Sequence, residues 1–410
     1  MKGFKSSKRS NRLDGGFEDM SDLKILGRSE DLFHFDLSEA NESIVKQLKN
    51  KRILVIGGGG FIGRNLVTKL CHFDCKIDVI DISENNLAEL VRSIRSNELT
   101  SNANIRTFVI DAGTPIFEKF VFSQPSYDYA MNLSAIKHVR SESNVFSLIR
   151  MIETNIINAV ENMKILQQKG LKNYFVISTD KAANPHNLMG ATKRLMEKFC
   201  LQEAQSDLIL SFARFANVLF SDGSLSHSYL KRLSSLQPLV APSDIKRFFI
   251  TKEEAAAICL ISSIFATNRS VFVPKMPLES AIAFKEIALN LLAENGFSAE
   301  ILTDEKTARE FDFLKNKGKW PLLVFKTDTT GEKPLEEFFT ADEVLEKTEF
   351  SNLLVLTTNQ STSINFSEFK NRFSILCEQE TSKKDLSKLV FNELDSYAYT
   401  DLGKYLDQKM

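Results

Sequence analysis

Cysteine is scarce, with five residues in 410 at no regular spacing. That excludes a disulfide framework and fits a reducing compartment. In "CHFDC", Cys71 and Cys75 flank His72, but no second ligand pair at zinc-like spacing occurs elsewhere. The thiols therefore read as buried, and no metal is expected. Excess charge of either sign is also missing: 52 basic residues stand against 53 acidic ones, net −1. Neither nucleic acid nor an anionic membrane finds an attractive field in that balance. Long hydrophobic runs are absent too. The longest, "AAAICLISSIFA" at 255–266, covers about half a membrane span and follows Glu253 and Glu254. The opening "MKGFKSSKRSNR" is basic and polar with no apolar stretch behind it, unlike a signal peptide or an anchor. A soluble, cytoplasmic protein without membrane contact is expected.

What is present is 43% apolar residues in a length that suits two or three domains. Residues 1–20 are polar and expected to be mobile, and 21–50 read as an amphipathic lead-in. A regular alternation then begins. "RILVIG" reads as a buried strand, Ile62, Leu66, Val67 and Leu70 as a helix face, and "KIDVID" as the next strand. Leu87, Leu90, Val91 and Ile94 mark a second helix, and "IRTFVID" and "YDYAMNLSA" two more strands. A long helix over 144–169, the strand "NYFVIST", a helix over 189–205 and the strand "LILSFARF" complete the series. Such alternation predicts an α/β fold, a doubly wound parallel sheet of the Rossmann type, over 51–218. Beyond 218 the rhythm loosens. Residues 219–340 read as a smaller α/β substrate-binding region partly interwoven with the first, and 341–410 as a C-terminal extension.

The stretch "VIGGGGFIGRN" at 55–65 sets Gly57, Gly60 and Gly63 three apart between a strand and a helix. Such a loop turns tightly, lets backbone approach a pyrophosphate, and packs helix against strand. The helix start at Phe61 and Ile62 then offers free N–H groups and the positive end of a dipole. Asp81 ends the second strand 24 residues after Gly57, where a carboxylate accepts from a ribose diol and repels a 2′-phosphate. NAD is the expected cofactor. Asp111 and Ala112, closing the third strand, are placed toward the adenine side.

The stretch "VISTDKAANPHNLMGATKR" at 176–194 resembles the nucleotide-sugar 4,6-dehydratases of bacterial polysaccharide biosynthesis, within the extended short-chain dehydrogenases. "ILGRSE" at 25–30, "AIKHV" at 135–139, "RFANVLFSDGS" at 214–224, "KRFFITKEEA" at 246–255 and "TGEKPLEEF" at 330–338 carry the same resemblance, in the family's order. It implies oxidation at sugar carbon 4, loss of water across carbons 5 and 6, and re-reduction, with NAD regenerated. Three proton movements need groups of tuned proton affinity. By resemblance Thr179, Asp180 and Lys181 are the elimination trio, with a protonated Asp180 acting on the leaving hydroxyl and a neutral Lys181 taking the carbon-5 proton. Lys193 is implied to hold the nicotinamide ribose. Lys137, His138, Asn217, Ser221 and Arg247 are implied substrate contacts.

Two departures stand out. The tyrosine expected four residues before the lysine is Met189, which cannot take a proton; one branch of the family shares this methionine, and Lys181 or Asp180, acting through a water, are candidates for the missing base. The arginine that often precedes the glycine of "TGEKPLEEF" is absent, and Asp328 and Thr329 stand nearby. The resemblance points to a UDP-linked N-acetylglucosamine, with GDP as the alternative nucleotide, and to a homo-oligomer. A 4-epimerase, a dehydratase that inverts carbon 5, and a catalytically silent NAD-binding scaffold remain as rival readings.

Overall fold

The computed structural model describes residues 22–100, 103–313, 315–327, 333, 335–341, 343–357 and 364–394. Residues 1–20 and the tail beyond 394 lie outside this set, as do Asp328, Thr329 and part of "TGEKPLEEF".

Apolar, β-branched runs form the strands β1 (Arg52–Ile56), β2 (Lys76–Asp81), β3 (Asn104–Val109), β4 (Tyr129–Asn132), β5 (Asn173–Thr179) and β6 (Ile209–Phe215). They lie parallel in the order β3-β2-β1-β4-β5-β6. The helices between them are α3 (Phe61–Leu70), α4 (Glu84–Ser96), α5 (Pro115–Ser123), α6 (Val145–Ile152), α7 (Asn158–Gln168) and α8 (Leu188–Glu203), preceded by α1 (Asp22–Ile25) and α2 (His34–Leu48). The expected stripes are buried at Leu66, Val67 and Leu70 on α3 and at Leu87, Leu90 and Ile94 on α4. The long helix expected over 144–169 is α6 and α7 joined by a π-turn at Glu153–Ile157. The doubly wound fold is present.

The sheet does not stop at residue 218. Strand Ser270–Pro274 adds to β6 in parallel, and Leu353–Thr357 and Val344–Glu346 continue it antiparallel, making nine strands. Helix Lys252–Ile264 packs on α3, β5 and β6, and helix Lys383–Phe391 on α8 and α6. Phe366 and Phe369 of helix Phe366–Glu378 meet Phe199 of α8 at centroid distances of 5.4 and 5.1 Å. The stretches read as a separate extension thus share the main core. Chain order hid this, because the strands that complete the sheet are separated by the second region. That region is a three-stranded parallel sheet, Ser298–Leu302, Lys319–Phe325 and Leu239–Pro242, with its own core around Tyr229, Leu291 and Trp320.

The lead-in is built into both cores. Ile25 sits in the smaller one, and Phe33, Ile44 and Leu48 in the larger. Arg28 donates to both oxygens of buried Glu254 at 2.7 and 2.8 Å, while Glu254 also closes a capping box with Thr251. The motifs "ILGRSE" and "KRFFITKEEA" therefore meet in one structural ion pair. Cys71 and Cys75 are buried free thiols, and burial pushes each up to about 12.

Candidate active site

Strand order reverses between β1 and β4, and the crevice that forms at such a switch point is the ordinary ligand site of an open α/β sheet. A cavity of about 610 Å³ lies here, at the carboxyl ends of β1, β5 and β6. Its first wall is the glycine loop. Gly57 has φ +74°, and a Cβ there would stand 2.8 Å from the Ser134 nitrogen; one on Gly63 would stand 2.4 Å from the Gly57 oxygen. Gly60 differs: a Cβ would meet only the Gly57 oxygen, at 3.4 Å. Gly60 is also the N-cap of α3 and makes no side-chain cap, so the N–H groups at Phe61 and Ile62 face the cavity side uncapped. A pyrophosphate fits this cradle.

Asp81 braces the loop. Its carboxylate accepts the Gly59 and Ser83 N–H groups, each at 2.9 Å. Asp111 accepts the Gly113 N–H at 2.9 Å and pairs with Arg150 of α6 at 2.7 Å. Asp81, Asp111 and Ala112 lie beyond the cavity lining, which Gly57, Gly60, Phe61, Ile62 and Gly63 share.

The second wall is the turn that ends β5. The Thr179 hydroxyl caps it, accepting from the Lys181 N–H at 3.4 Å and donating to Asp180 Oδ1 at 2.8 Å. The same Oδ1 accepts the Lys181 N–H at 2.9 Å and Lys181 Nζ at 3.0 Å. Lys181 Nζ is also 3.9 Å from Glu336 Oε1. Burial works against the charge on Lys181, but Asp180 and Glu336 together outweigh it against the opposing field of Arg247, and its proton affinity stands above the ordinary lysine value. These surroundings favour the charged form of Lys181, whereas the resemblance implies a neutral amine.

Behind it, α8 brings Met189 and Lys193 to the lining. Asn187 caps the helix at the Gly190 N–H, and Glu142 accepts the Met189 N–H at 2.8 Å. Lys193 Nζ donates to the Ile177 carbonyl at 3.0 Å. Burial pushes Lys193 down to about 8, with Glu197 and Cys200 working the other way.

Lys137, His138, Asn217 and Ser221 line the remaining wall. Burial in the cleft pushes Lys137 below its ordinary value, opposed by Asp222 and assisted by Arg64. His138 abuts Gly223, where a Cβ would stand 2.7 Å from its Nε2. Arg247 is the exception. It is buried and outside the lining, and its Nη1 donates to the Lys246 and Lys333 carbonyls at 2.8 Å each.

Sequence reading missed the carboxylates behind these residues. Glu197 accepts from Ser178 at 2.6 Å and from Arg214 at 2.9 and 2.6 Å. Arg214 also donates to Glu343 through both terminal nitrogens at 2.7 Å. Glu336 was within reach as part of "TGEKPLEEF"; Glu343 carried no signal, because its partners are remote in sequence.

The model of the family described as "Polysaccharide biosynthesis protein" matches residues 53–358. The chain belongs to that family. Among curated members and relatives, it is 29% identical to an uncharacterized membrane protein, MJ1061, of Methanocaldococcus jannaschii, over 75% of this chain and 86% of that one. It is 30% identical to the capsular polysaccharide biosynthesis protein CapD of Staphylococcus aureus over 72% of this chain, yet spans only 49% of that protein. A UDP-N-acetylglucosamine 4,6-dehydratase (inverting) of Campylobacter jejuni is 28% identical over 55% of this chain and 67% of its own. The fold matches solved structures at lower identity. Pen from Bacillus thuringiensis aligns with TM-score 0.62 and 23% identity over 84% of this chain and 98% of that one. Bordetella bronchiseptica WbmG in complex with NAD aligns with TM-score 0.52 and 15% identity, over 86% and 98%. Among the described residues of this family member, no helix is long and apolar enough to cross a membrane.

Proposed function

We propose that this protein is an NAD-dependent nucleotide-sugar 4,6-dehydratase acting on UDP-N-acetylglucosamine. The observation that carries the reading is one cavity lined together by a glycine cradle, by Thr179, Asp180 and Lys181, and by Lys193. An epimerase needs no elimination trio; a dehydratase does.

NAD, when bound, supplies the acceptor and donor of hydride. Gly57, Gly60, Phe61, Ile62 and Gly63 are the residues that hold its pyrophosphate, and Asp81 at the loop's base favours it over NADP by charge. Lys193, donating to a backbone carbonyl in a dry wall, orients the ribose. Asp180 and Lys181 do the proton work of the elimination: Asp180 serves the leaving hydroxyl and Lys181 the hydrogen at carbon 5, each on the same short turn. Met189 contributes shape but no proton chemistry, so removal of the 4-hydroxyl proton falls to Lys181 or Asp180, through a water. Lys181 must therefore give up a proton before it can receive one.

Incubation of the purified protein with UDP- and GDP-N-acetylglucosamine, read by product mass, tests this. Loss of the mass of one water from the UDP sugar is the expected result. An isobaric product indicates an epimerase, and an unchanged substrate a silent scaffold.

A further inference from the structure

Glu336 reaches the turn at Asp180 and Lys181 from the far end of the chain, on the segment 335–341. That segment is anchored at several points. On one side the Lys333 carbonyl accepts from Arg247 at 2.8 Å, and on the other the Phe338 carbonyl accepts from Arg214 at 3.0 Å. The Phe338 ring packs on Phe248 with centroids 5.5 Å apart, and Glu337 accepts from Asn184 at 2.6 Å. Between these anchors Glu336 is 5% exposed, and its Oε1 stands 3.9 Å from both Lys181 Nζ and Arg247 Nη2.

Such placement is unexpected for a lysine that must take a proton, because each nearby carboxylate makes the ammonium harder to deprotonate. Asp180 is committed on its own turn, where three donors converge on Oδ1. Glu336 has no such local bond among the described contacts, and what it faces is charge: Lys181, Arg247 and, more remotely, Lys333.

We propose that Glu336 is a positioning residue for Lys181, holding its ammonium beside Asp180 and setting the pH at which the amine becomes free. The idea rests on reading Lys181 as the carbon-5 base. Burial pushes the Glu336 carboxyl up, while Lys181 and Arg247, each 3.9 Å away, draw it down. The groups facing Lys181 are Asp180 from its own turn, Glu336 from the segment 335–341 and Arg247 from the strand Lys246–Arg247. Of the two carboxylates, Glu336 alone comes from outside the turn.

The test measures Lys181 directly. Acylation of Lys181 by an amine-reactive anhydride, followed by mass spectrometry across pH, gives the midpoint of its deprotonation whether or not the protein turns over a sugar. Glu336→Gln is expected to lower that midpoint by about one unit, about tenfold more free amine at a given pH below it. Glu336→Asp, which keeps the charge but shortens the arm, should fall between. Glu337→Gln, on the exposed neighbour, should leave the midpoint unmoved. The acid limb of the dehydration rate should shift to lower pH in step with the labelling. An unmoved midpoint in folded Glu336→Gln overturns the proposal; should that variant fail to fold, Glu336→Asp decides in the same way. Wild-type protein that yields no dehydrated product sinks the functional reading instead, and leaves the labelling result readable.

Discussion

Lys181 and Lys193 line one cavity, and the fold treats their charges in opposite ways. Lys181 sits among carboxylates and is held above its ordinary proton affinity; Lys193 sits against a carbonyl and is pushed down to about 8. Lys193 is buried and Lys181 mostly so, its side chain 18% exposed, and burial works against the charge of each. The carboxylates separate them. Glu197 lies on the same helix as Lys193, but Arg214 and Ser178 have already claimed it. Asp180 bonds Lys181 itself, and Glu336 faces Arg247 at 3.9 Å with Lys333 farther off. A buried lysine therefore takes its charge state from what the neighbouring acids have left to give, and that allocation is made by residues remote in sequence.

Arg214→Met is the strongest way to break the comparison. It leaves Glu197 and Glu343 buried beside each other with only Arg194, 3.3 and 2.8 Å away, to offset two charges, a loss expected to cost about 3 kcal/mol of stability. Denaturant titration checks it. Because the Phe338 carbonyl also loses its donor, Glu336 should loosen and the acylation midpoint of Lys181 should fall. Stability lost without any change at Lys181 would show that the segment 335–341 stays in place without Arg214.

Lys181→Ala comes next. Loss of an acid–base group typically lowers a rate by about 10²-fold or more, roughly 3 kcal/mol of barrier. Product formation from the UDP sugar should fall by that much while the pH dependence of stability that Lys193 confers stays as in the wild type. Normal turnover would remove the trio from the mechanism altogether.

Gly60→Val sharpens the contrast between shape and charge. Gly60 has φ −70°, which valine adopts without strain, and a Cβ there would meet only the Gly57 oxygen, at 3.4 Å. The variant should fold and lose NAD binding by equilibrium dialysis. Gly63→Val should instead unfold, since even its Cβ would stand 2.4 Å from the Gly57 oxygen. Both variants folding equally well would mean that the two glycines do the same job.

These glycines also mark how far sequence carries. The loop, the six alternating strands and the turn at 179–181 are local patterns, and local spacing is what periodicity reads. The cavity lining follows from them, because strand ends in a parallel sheet converge by topology. Three things were not legible. The sheet takes strands from 270–274 and 344–357, beyond an intervening region, and no local signal says which sheet a short apolar strand joins. Arg247, implied by the resemblance as a substrate contact, lies outside the cavity lining and donates to the Lys333 carbonyl. The charge on Lys181 depends on Glu336, which is far away in the chain. Position was readable; electrostatic partnership was not.

The smallest effect is expected at Lys193→Met, and it has an unusual sign. A lysine folded at about 8 and unfolded at its ordinary value near 10.5 binds fewer protons in the native state across that interval. Stability then rises with pH from about 8 to 10.5, and below 8 the native protein carries the full cost of a buried, poorly paired ammonium. Methionine fills a similar volume without that charge, and already occurs beside it at Met196, whose sulfur lies 3.9 Å from Nζ. Against the gain stands the Ile177 carbonyl, which loses its donor. The balance should favour the variant by about 1–2 kcal/mol at pH 7, after setting the unpaired carbonyl against the relieved charge. The difference from wild type should shrink as pH approaches 10. Denaturant titrations at the two pH values measure it. A constant difference would mean that Lys193 does not titrate in this window, and that its distinction from Lys181 lies in position alone.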